Sequence, residues 1–328
     1  CPGGPAVPCA HATAFTMPAP PVPVPAPETP TPGADELLPG AGQGGRLARA
    51  VPGLVRWPNL AIMLLSLVLV RAMLLPGQPL GVVLAPRYGL LVLAALLVAA
   101  AGYIINDYYD VKIDAINRPD RLVVGRLLRR RHAMLAHVLL SGLGVLLAMA
   151  LSCTLGWVTM GAAALLWGYS ARFKRLALVG NVSIGALTAA LVLLPELQLL
   201  TGRQAVWLYA LAAFLLTVVR EIVKDLEDMR GDAQHGCRTL PLVWGVARSK
   251  WVAGFFLACL VLLVLGAGGQ LLAWGRWPLA AWLLVLVLLP LLELARRLAR
   301  ADRRRHFRQL SAWCKGIMLA GILSMLLV

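Results

Sequence analysis

The sequence predicts an all-α protein that crosses a membrane many times, and three observations carry that prediction. First, 59% of its 328 residues are hydrophobic and only 14% charged, with mean hydropathy +0.77. Soluble globular chains run near roughly 45–50% apolar and 25% charged, so lipid is the natural sink for so much apolar surface. Second, apolar runs of the length a helix needs to span a bilayer recur along the chain. Third, Lys and Arg lie in short blocks between those runs, as in membrane proteins whose loops are sorted by charge. A net charge of +16 raises nucleic acid as a partner, but the basic residues build no groove-forming domain, and none is implied.

The elements follow in order. Residues 1–45, with PAPPVPVPAPETPTP at their centre, read as a disordered Pro/Gly-rich leader, because such a segment cannot form a packed core. It lacks the continuous apolar core of a secretory signal. Residues 46–328 read as one nine-helix domain around a central cavity. Its apolar runs lie near 57–75, 88–108, 134–151, 155–171, 177–194, 204–222, 251–269, 277–295 and 312–328. Pro76-Gly77 closes the first run, Pro195 the fifth, and Gly266 with Gly268-Gly269 the seventh. The two longest connections, 109–133 and 223–250, read as short, partly helical caps over the cavity. Cys1, Cys9, Cys153, Cys237, Cys259 and Cys314 show no metal-ligand spacing and no disulfide framework.

The basic residues test this topology. With the N-terminus cytoplasmic, nine spans place 27 of the 31 Lys and Arg residues on the cytoplasmic side, leaving Arg71, Arg87, Arg203 and Arg276 opposite. That bias is the positive-inside pattern. The expected location is integral to a membrane, the cell membrane, in contact with its lipid.

Two acidic stretches break the apolar pattern at cytoplasmic span ends. In NDYYDVKIDAINRPDR, Asn106, Asp110 and Asp114 recur every four residues and stack on one helix face. In REIVKDLEDMRGD, Asp225, Asp228 and Asp232 again share a face, with Glu221 one turn earlier. Nine of the fifteen acids lie within Asp107–Asp120 or Glu221–Asp232, too concentrated for generic surface solvation. Like charges at this spacing repel unless a cation sits between them. Magnesium accepts a few carboxylates plus phosphate and water, so Asn106, Asp110, Asp114, Asp225, Asp228 and Asp232 are the expected metal ligands. Two such helices face to face would clamp a diphosphate, with Arg121, Arg126, Lys174 and Lys224 on its remaining oxygens.

A diphosphate head above an apolar cavity describes a prenyl diphosphate. Loss of diphosphate from an allylic carbon leaves a carbocation, which aromatic faces stabilise. Tyr169 is the leading candidate, with Tyr103, Tyr109 and Trp167 also near. The nucleophile would come from a lipid-like acceptor.

At these residues the chain resembles the UbiA superfamily of intramembrane prenyltransferases. The family's N-x-x-x-D-x-x-x-D signature is met by Asn106, Asp110 and Asp114, and its second aspartate set by Asp225, Asp228 and Asp232. Its Y-S-x-x-x-K element is met by Tyr169, Ser170 and Lys174, followed by Gly180-Asn181. The resemblance covers roughly 50–328 and implies nine helices and magnesium-dependent transfer of a prenyl group from its diphosphate; no obligate protein partner is inferred. REIVKDLEDMRGD followed by RTLP is most similar to the branch that adds geranylgeranyl to the glycerol hydroxyl of geranylgeranylglyceryl phosphate. A quinone-precursor or chlorophyll-type acceptor is the alternative. A phosphorylated acceptor would need further cations, which Arg126, Arg129, Arg130 and Arg131 supply beside the first acidic helix. A CDP-alcohol phosphotransferase is disfavoured because its D-G-x-x-A-R element is absent. A cation transporter would place its acids nearer mid-membrane.

Overall fold

The computed structural model describes residues 50–77, 79–117 and 123–328, without the side chains of residues 79, 80 and 112–117. The leader at 1–45 lies outside the described residues. All described elements are helices. α1 (Trp57–Leu69) opens on Pro58, whose missing N–H costs nothing in a first turn, and widens into a π turn over Val70–Leu74. The short α2 (Pro79–Val83) leads to α3 (Pro86–Asn117). α4 (Arg130–Leu151) stops at Ser152, which caps α5 (Cys153–Ala171) by accepting a hydrogen bond from the Leu155 N–H at 3.2 Å. α6 (Val179–Leu199), α7 (Gln204–Gln234) and α8 (Leu240–Ala273) follow. α9 (Trp277–Trp282) passes through a π turn over Leu283–Leu288 into α10 (Leu289–Arg300), and α11 (Arg304–Ser324) ends the bundle.

Eight of these stretches are long and apolar enough to cross a membrane; the chain is an integral membrane protein. The expected count of nine is not reached by that measure, and α5 is the helix that falls short. Its 19 residues include Thr154, Gly156, Thr159, Gly161, Gly168 and Tyr169, which dilute its hydropathy. At 1.5 Å per residue it still extends about 28 Å. It carries the chain from Ser152 back to the end where Lys174 meets Asp110.

That end gathers the C-terminal turns of α3, α5, α7 and α10 and the N-terminal turns of α4, α6, α8 and α11. Arg71, Arg87, Arg203 and Arg276 fall at the opposite end, where Arg71 donates to the Pro76 carbonyl at 2.9 Å and Arg276 to that of Val328 at 3.2 Å. The acidic helices differ from the expected caps in being unbroken extensions of spans. α3 runs through Asn117 and α7 through Gln234, and only residues 235–239 separate α7 from α8. Polar residues at the end of a membrane helix reach water, so the helix has no reason to stop where the apolar run does.

The two halves of the site are set by helix packing. α6 and α7 approach closely at Gly185, where a Cβ would lie 2.7 Å from Val218 Cγ2 and 3.0 Å from Phe214 Cδ2. Small residues permit such approach between membrane helices. One turn earlier on α6 and two turns later on α7 stand Asn181 and Asp225, which the same contact brings together.

Candidate active site

On α3 the i, i+4 spacing gives what the sequence implies: Asn106 Nδ2 donates to Asp110 Oδ2 at 3.0 Å. Asp110 Oδ1 takes a second, charge-assisted bond from Lys174 Nζ at 2.5 Å, across 64 residues. Lys174 stands in the 3₁₀ turn Phe173–Arg175 between α5 and α6. That turn is pressed against Gly180, where a Cβ would lie 2.9 Å from Phe173 O and 3.0 Å from Lys174 Cα. Leu178 enters α6 at φ 63, a left-handed geometry that folds the loop back on the helix. A bridge from Leu176 to Arg238, with Arg238 N–H donating to Arg175 O at 2.8 Å, ties this turn to the α7–α8 connection.

On α7, Asp225 Oδ2 accepts from Asn181 Nδ2 at 2.8 Å, and Asp232 Oδ2 from Thr239 Oγ1 at 3.3 Å. Asp228 faces Arg304 of α11 at 3.9 Å. Glu221 is buried and paired with Arg220 at 2.5 Å. The two acidic helices meet at Tyr169: its ring lies in the field of Glu221, Asp225 and Asp110 together. Cys237, in the α7–α8 connection, likewise feels Asp232, Arg175, Lys174 and Asp110. Burial first, and then the charge of Asp232, pushes its thiol above the ordinary range.

The structure therefore brings Asn106, Asp110, Lys174, Tyr169, Asp225 and Asp232 around one space, with Lys224 beside Asp225 and Asp232. The side chain of Asp114 and all of Arg121 lie outside the described residues. Arg126 is exposed in the turn closed by the Val124–Leu128 bridge. Trp167 is also exposed. Tyr103 has its face covered by Arg56, 5.1 Å from the ring centroid, and Arg56 also meets Asp107 at 3.3 Å. Asp107, about 100° around the helix from Asn106, thus pairs with Arg56, whereas Asp110 pairs with Lys174.

Sequence reasoning assigned no role to Asn181, Thr239, Arg56, Arg304 or Cys237. Asn181 carried two usable signals, its place in the Gly180-Asn181 pair of the family element and its polarity inside an apolar run, and it is 4% exposed with its amide spent on Asp225.

The donor set suits a hard divalent cation. Its atoms are carboxylate and amide oxygens, and among the described residues Asp225 accepts a hydrogen bond at Oδ2, from Asn181. Among the described residues no three His, Cys, Asp or Glu side chains form a ready metal cage. Magnesium fits that arrangement, since it takes one or two carboxylates and completes its shell with water and phosphate oxygens. Asn106, Asp110, Asp225, Asp228 and Asp232 are the described residues able to hold it.

Comparison with known proteins agrees in kind. A sequence profile of the UbiA prenyltransferase family matches residues 76–317. The digeranylgeranylglyceryl phosphate synthase of Methanospirillum hungatei is 32% identical over 71% of this chain and 81% of its own length. Further relatives of that name align over as little as 56% of their length. A solved structure of digeranylgeranylglyceryl phosphate synthase covers 86% of this chain and 100% of its own, with TM-score 0.66 and 22% identity. A UbiA homologue from Archaeoglobus fulgidus, solved bound to GPP and Mg2+, covers 84% and 99%, with TM-score 0.58 and 18% identity. At these identities the two structures speak for the fold.

Proposed function

The chain belongs to the UbiA prenyltransferase family, and on that premise we propose that it transfers geranylgeranyl from its diphosphate to the glycerol hydroxyl of geranylgeranylglyceryl phosphate, with Mg2+. The observation that carries the reading is that the α5–α6 turn and the start of α6 join the two acidic helices: Lys174 bonds Asp110 of α3 at 2.5 Å and Asn181 bonds Asp225 of α7 at 2.8 Å. Two carboxylate sets on separate helices, with Lys174 and Lys224 between them, fit a diphosphate better than they fit any neutral ligand. The name carried by the Methanospirillum relative, digeranylgeranylglyceryl phosphate synthase, supports the glycerophosphate acceptor.

Bound Mg2+ supplies positive charge that neutralises the diphosphate and makes it a better leaving group. Asn106 and Lys174 fix Asp110, and Asn181 fixes Asp225, so the carboxylates are oriented before substrate arrives. Lys174, Lys224 and Arg126, with Arg121 beyond the described residues, are assigned to the diphosphate oxygens. The bond between the allylic carbon and the diphosphate oxygen breaks, and its electron pair leaves with the diphosphate. Tyr169 presents its ring to the resulting cation, and the helices around it exclude water. The acceptor hydroxyl then closes the ether, and its proton passes to the departing diphosphate. Because the basic residues cluster at the site end, we place that end in the cytoplasm.

Product masses test the reading directly. Protein-containing membranes are incubated with Mg2+, geranylgeranyl diphosphate and a panel of acceptors. The digeranylgeranyl ether of glycerophosphate is the expected product. Prenylation of an aromatic or quinone precursor, with the glycerophosphate ignored, would overturn it.

A further inference from the structure

At the end of the bundle that holds the acidic helices, α10 turns into α11 through residues 296–308, seven of which are arginine. α10 buries Leu291, Leu294 and Leu298 and carries Glu293, Arg296, Arg297 and Arg300 on its opposite side. An open cavity of about 270 Å³ lies there, lined by Arg296, Arg297 and Arg300 of α10 and by His306, Gln309 and Trp313 of α11. Helix geometry sets those three α11 residues within about 60° of one another and roughly 140–200° away from Arg304. Arg304 is the α11 residue that faces Asp228. The cavity is therefore separate from the diphosphate site.

Its walls are held in place by contacts of their own. Glu293 takes Arg296 through two bonds, of 2.6 and 2.7 Å, and Arg297 through a third of 2.6 Å. Arg297 also lies over the Trp313 ring, 4.4 Å from its centroid, and so ties α10 to α11 across the cavity. Arg300 enters no ion pair among the described residues. The acid of the turn itself, Asp302, is held by Lys250 of α8 at 3.1 Å. Three guanidinium groups against the single carboxylate of Glu293 leave two positive charges in excess around the cavity. Basic pockets between membrane helices recruit anionic headgroups for this reason.

We propose that the cavity between α10 and α11 binds the phosphate headgroup of an anionic membrane lipid, separately from the prenyl donor and its acceptor. Three observations select a lipid over a phosphate in solution. The cavity sits where two membrane-crossing helices end, and Trp313 is half-buried in its wall, as tryptophans are at the bilayer interface. Leu292 and Leu289, about one and two turns before Arg296 on that side of α10, are 47% and 57% exposed. An apolar surface below and arginines above match a lipid's tails and headgroup. The volume also suits a headgroup alone, being smaller than the roughly 300–1,000 Å³ of pockets that bury a whole small molecule.

The test titrates the purified full-length protein in detergent with phosphatidylglycerol, with phosphatidylcholine of the same acyl chains, and with glycerol 3-phosphate. Phosphatidylglycerol should bind about tenfold tighter than either of the others. Arg300→Gln should weaken it about fivefold, the worth of one cation at a membrane surface, and Arg297→Gln combined with Arg300→Gln about 25-fold. Arg300→Lys, which keeps the charge, should stay within about twofold of wild type. Arg308→Gln, in the same arginine block but outside the cavity, should do the same. Arg300 is exposed, so its variants remove no packing, and thermal melting checks that each protein is folded. Equal losses in Arg300→Gln and Arg308→Gln would reveal a diffuse basic surface and overturn the proposal. Wild-type affinity in the double variant would overturn it too, as would glycerol 3-phosphate binding as tightly as the lipid. Binding of geranylgeranyl diphosphate with Mg2+ should be unchanged in the double variant; a parallel loss in a folded protein would assign these arginines to the donor instead.

Discussion

Asn181→Ala should disable the second acidic set without unfolding the bundle. The side chain is 4% exposed and donates to Asp225 Oδ2 at 2.8 Å. A hydrogen bond to a charged group contributes about 1.5–3 kcal/mol, and a factor of ten corresponds to about 1.4 kcal/mol. Residues that orient metal ligands typically cost about 10–100-fold in affinity when removed, which agrees with that range. Without the amide, Asp225 stands beside Glu221 and loses the hydrogen bond that directs its Oδ2. The assay is the rate of prenyl transfer against Mg2+ concentration, with thermal melting as the control for folding. Half-saturating Mg2+ should rise by about 10–100-fold while the melting temperature stays close to wild type. A folded Asn181→Ala protein whose Mg2+ dependence lies within twofold of wild type would show that Asp225 is positioned by something else.

Gly180→Ala should lower prenyl diphosphate affinity through Lys174. The new Cβ, at 2.9 Å from Phe173 O and 3.0 Å from Lys174 Cα, must displace the turn that aims the ammonium; unchanged affinity would mean the turn gives way elsewhere. Asp107→Ala should retain far more turnover than Asp110→Ala, since Asp107 is paired with Arg56 and Asp110 with Lys174 and Asn106, and equal losses would show that Asp107 acts with the metal-binding set. Asp232→Asn should speed alkylation of Cys237 at neutral pH, read by peptide mass spectrometry. The charge of Asp232 holds that thiol pKa up, so removing it lowers the pKa and raises the thiolate fraction; a slower reaction contradicts that sign.

What was legible in the sequence was local. Asn106 and Asp110 are four residues apart, and helix geometry alone predicts their contact, which the structure shows at 3.0 Å. On α7 the expected common face divides among partners: Asp225 accepts from Asn181 of α6, Asp228 faces Arg304 of α11, and Asp232 accepts from Thr239. The spans were visible as apolar runs, but their ends were not, because α3 and α7 continue past the apolar residues into water-facing acid. The α5 run, though found, is too diluted by glycine, threonine and tyrosine to count as a span by hydropathy.

The links that build the site were less legible. Lys174 reaches Asp110 across 64 residues and Asn181 reaches Asp225 across 44. Such pairings depend on how α6 packs against α7 at Gly185 and how the α5–α6 turn folds over Gly180, and no periodicity encodes either. The density of arginines at 126–131 suggested an anion site by composition.

The central claim is that carboxylates from two helices act jointly on one diphosphate. Its most direct test is Mg2+-dependent binding of geranylgeranyl diphosphate to wild type, Asp110→Ala and Asp225→Ala, measured without acceptor so that no turnover intervenes. Both variants should lose Mg2+-dependent binding while remaining folded and membrane-inserted. Wild-type binding in either one, at saturating Mg2+, would contradict the joint clamp and leave a single acidic helix holding the substrate.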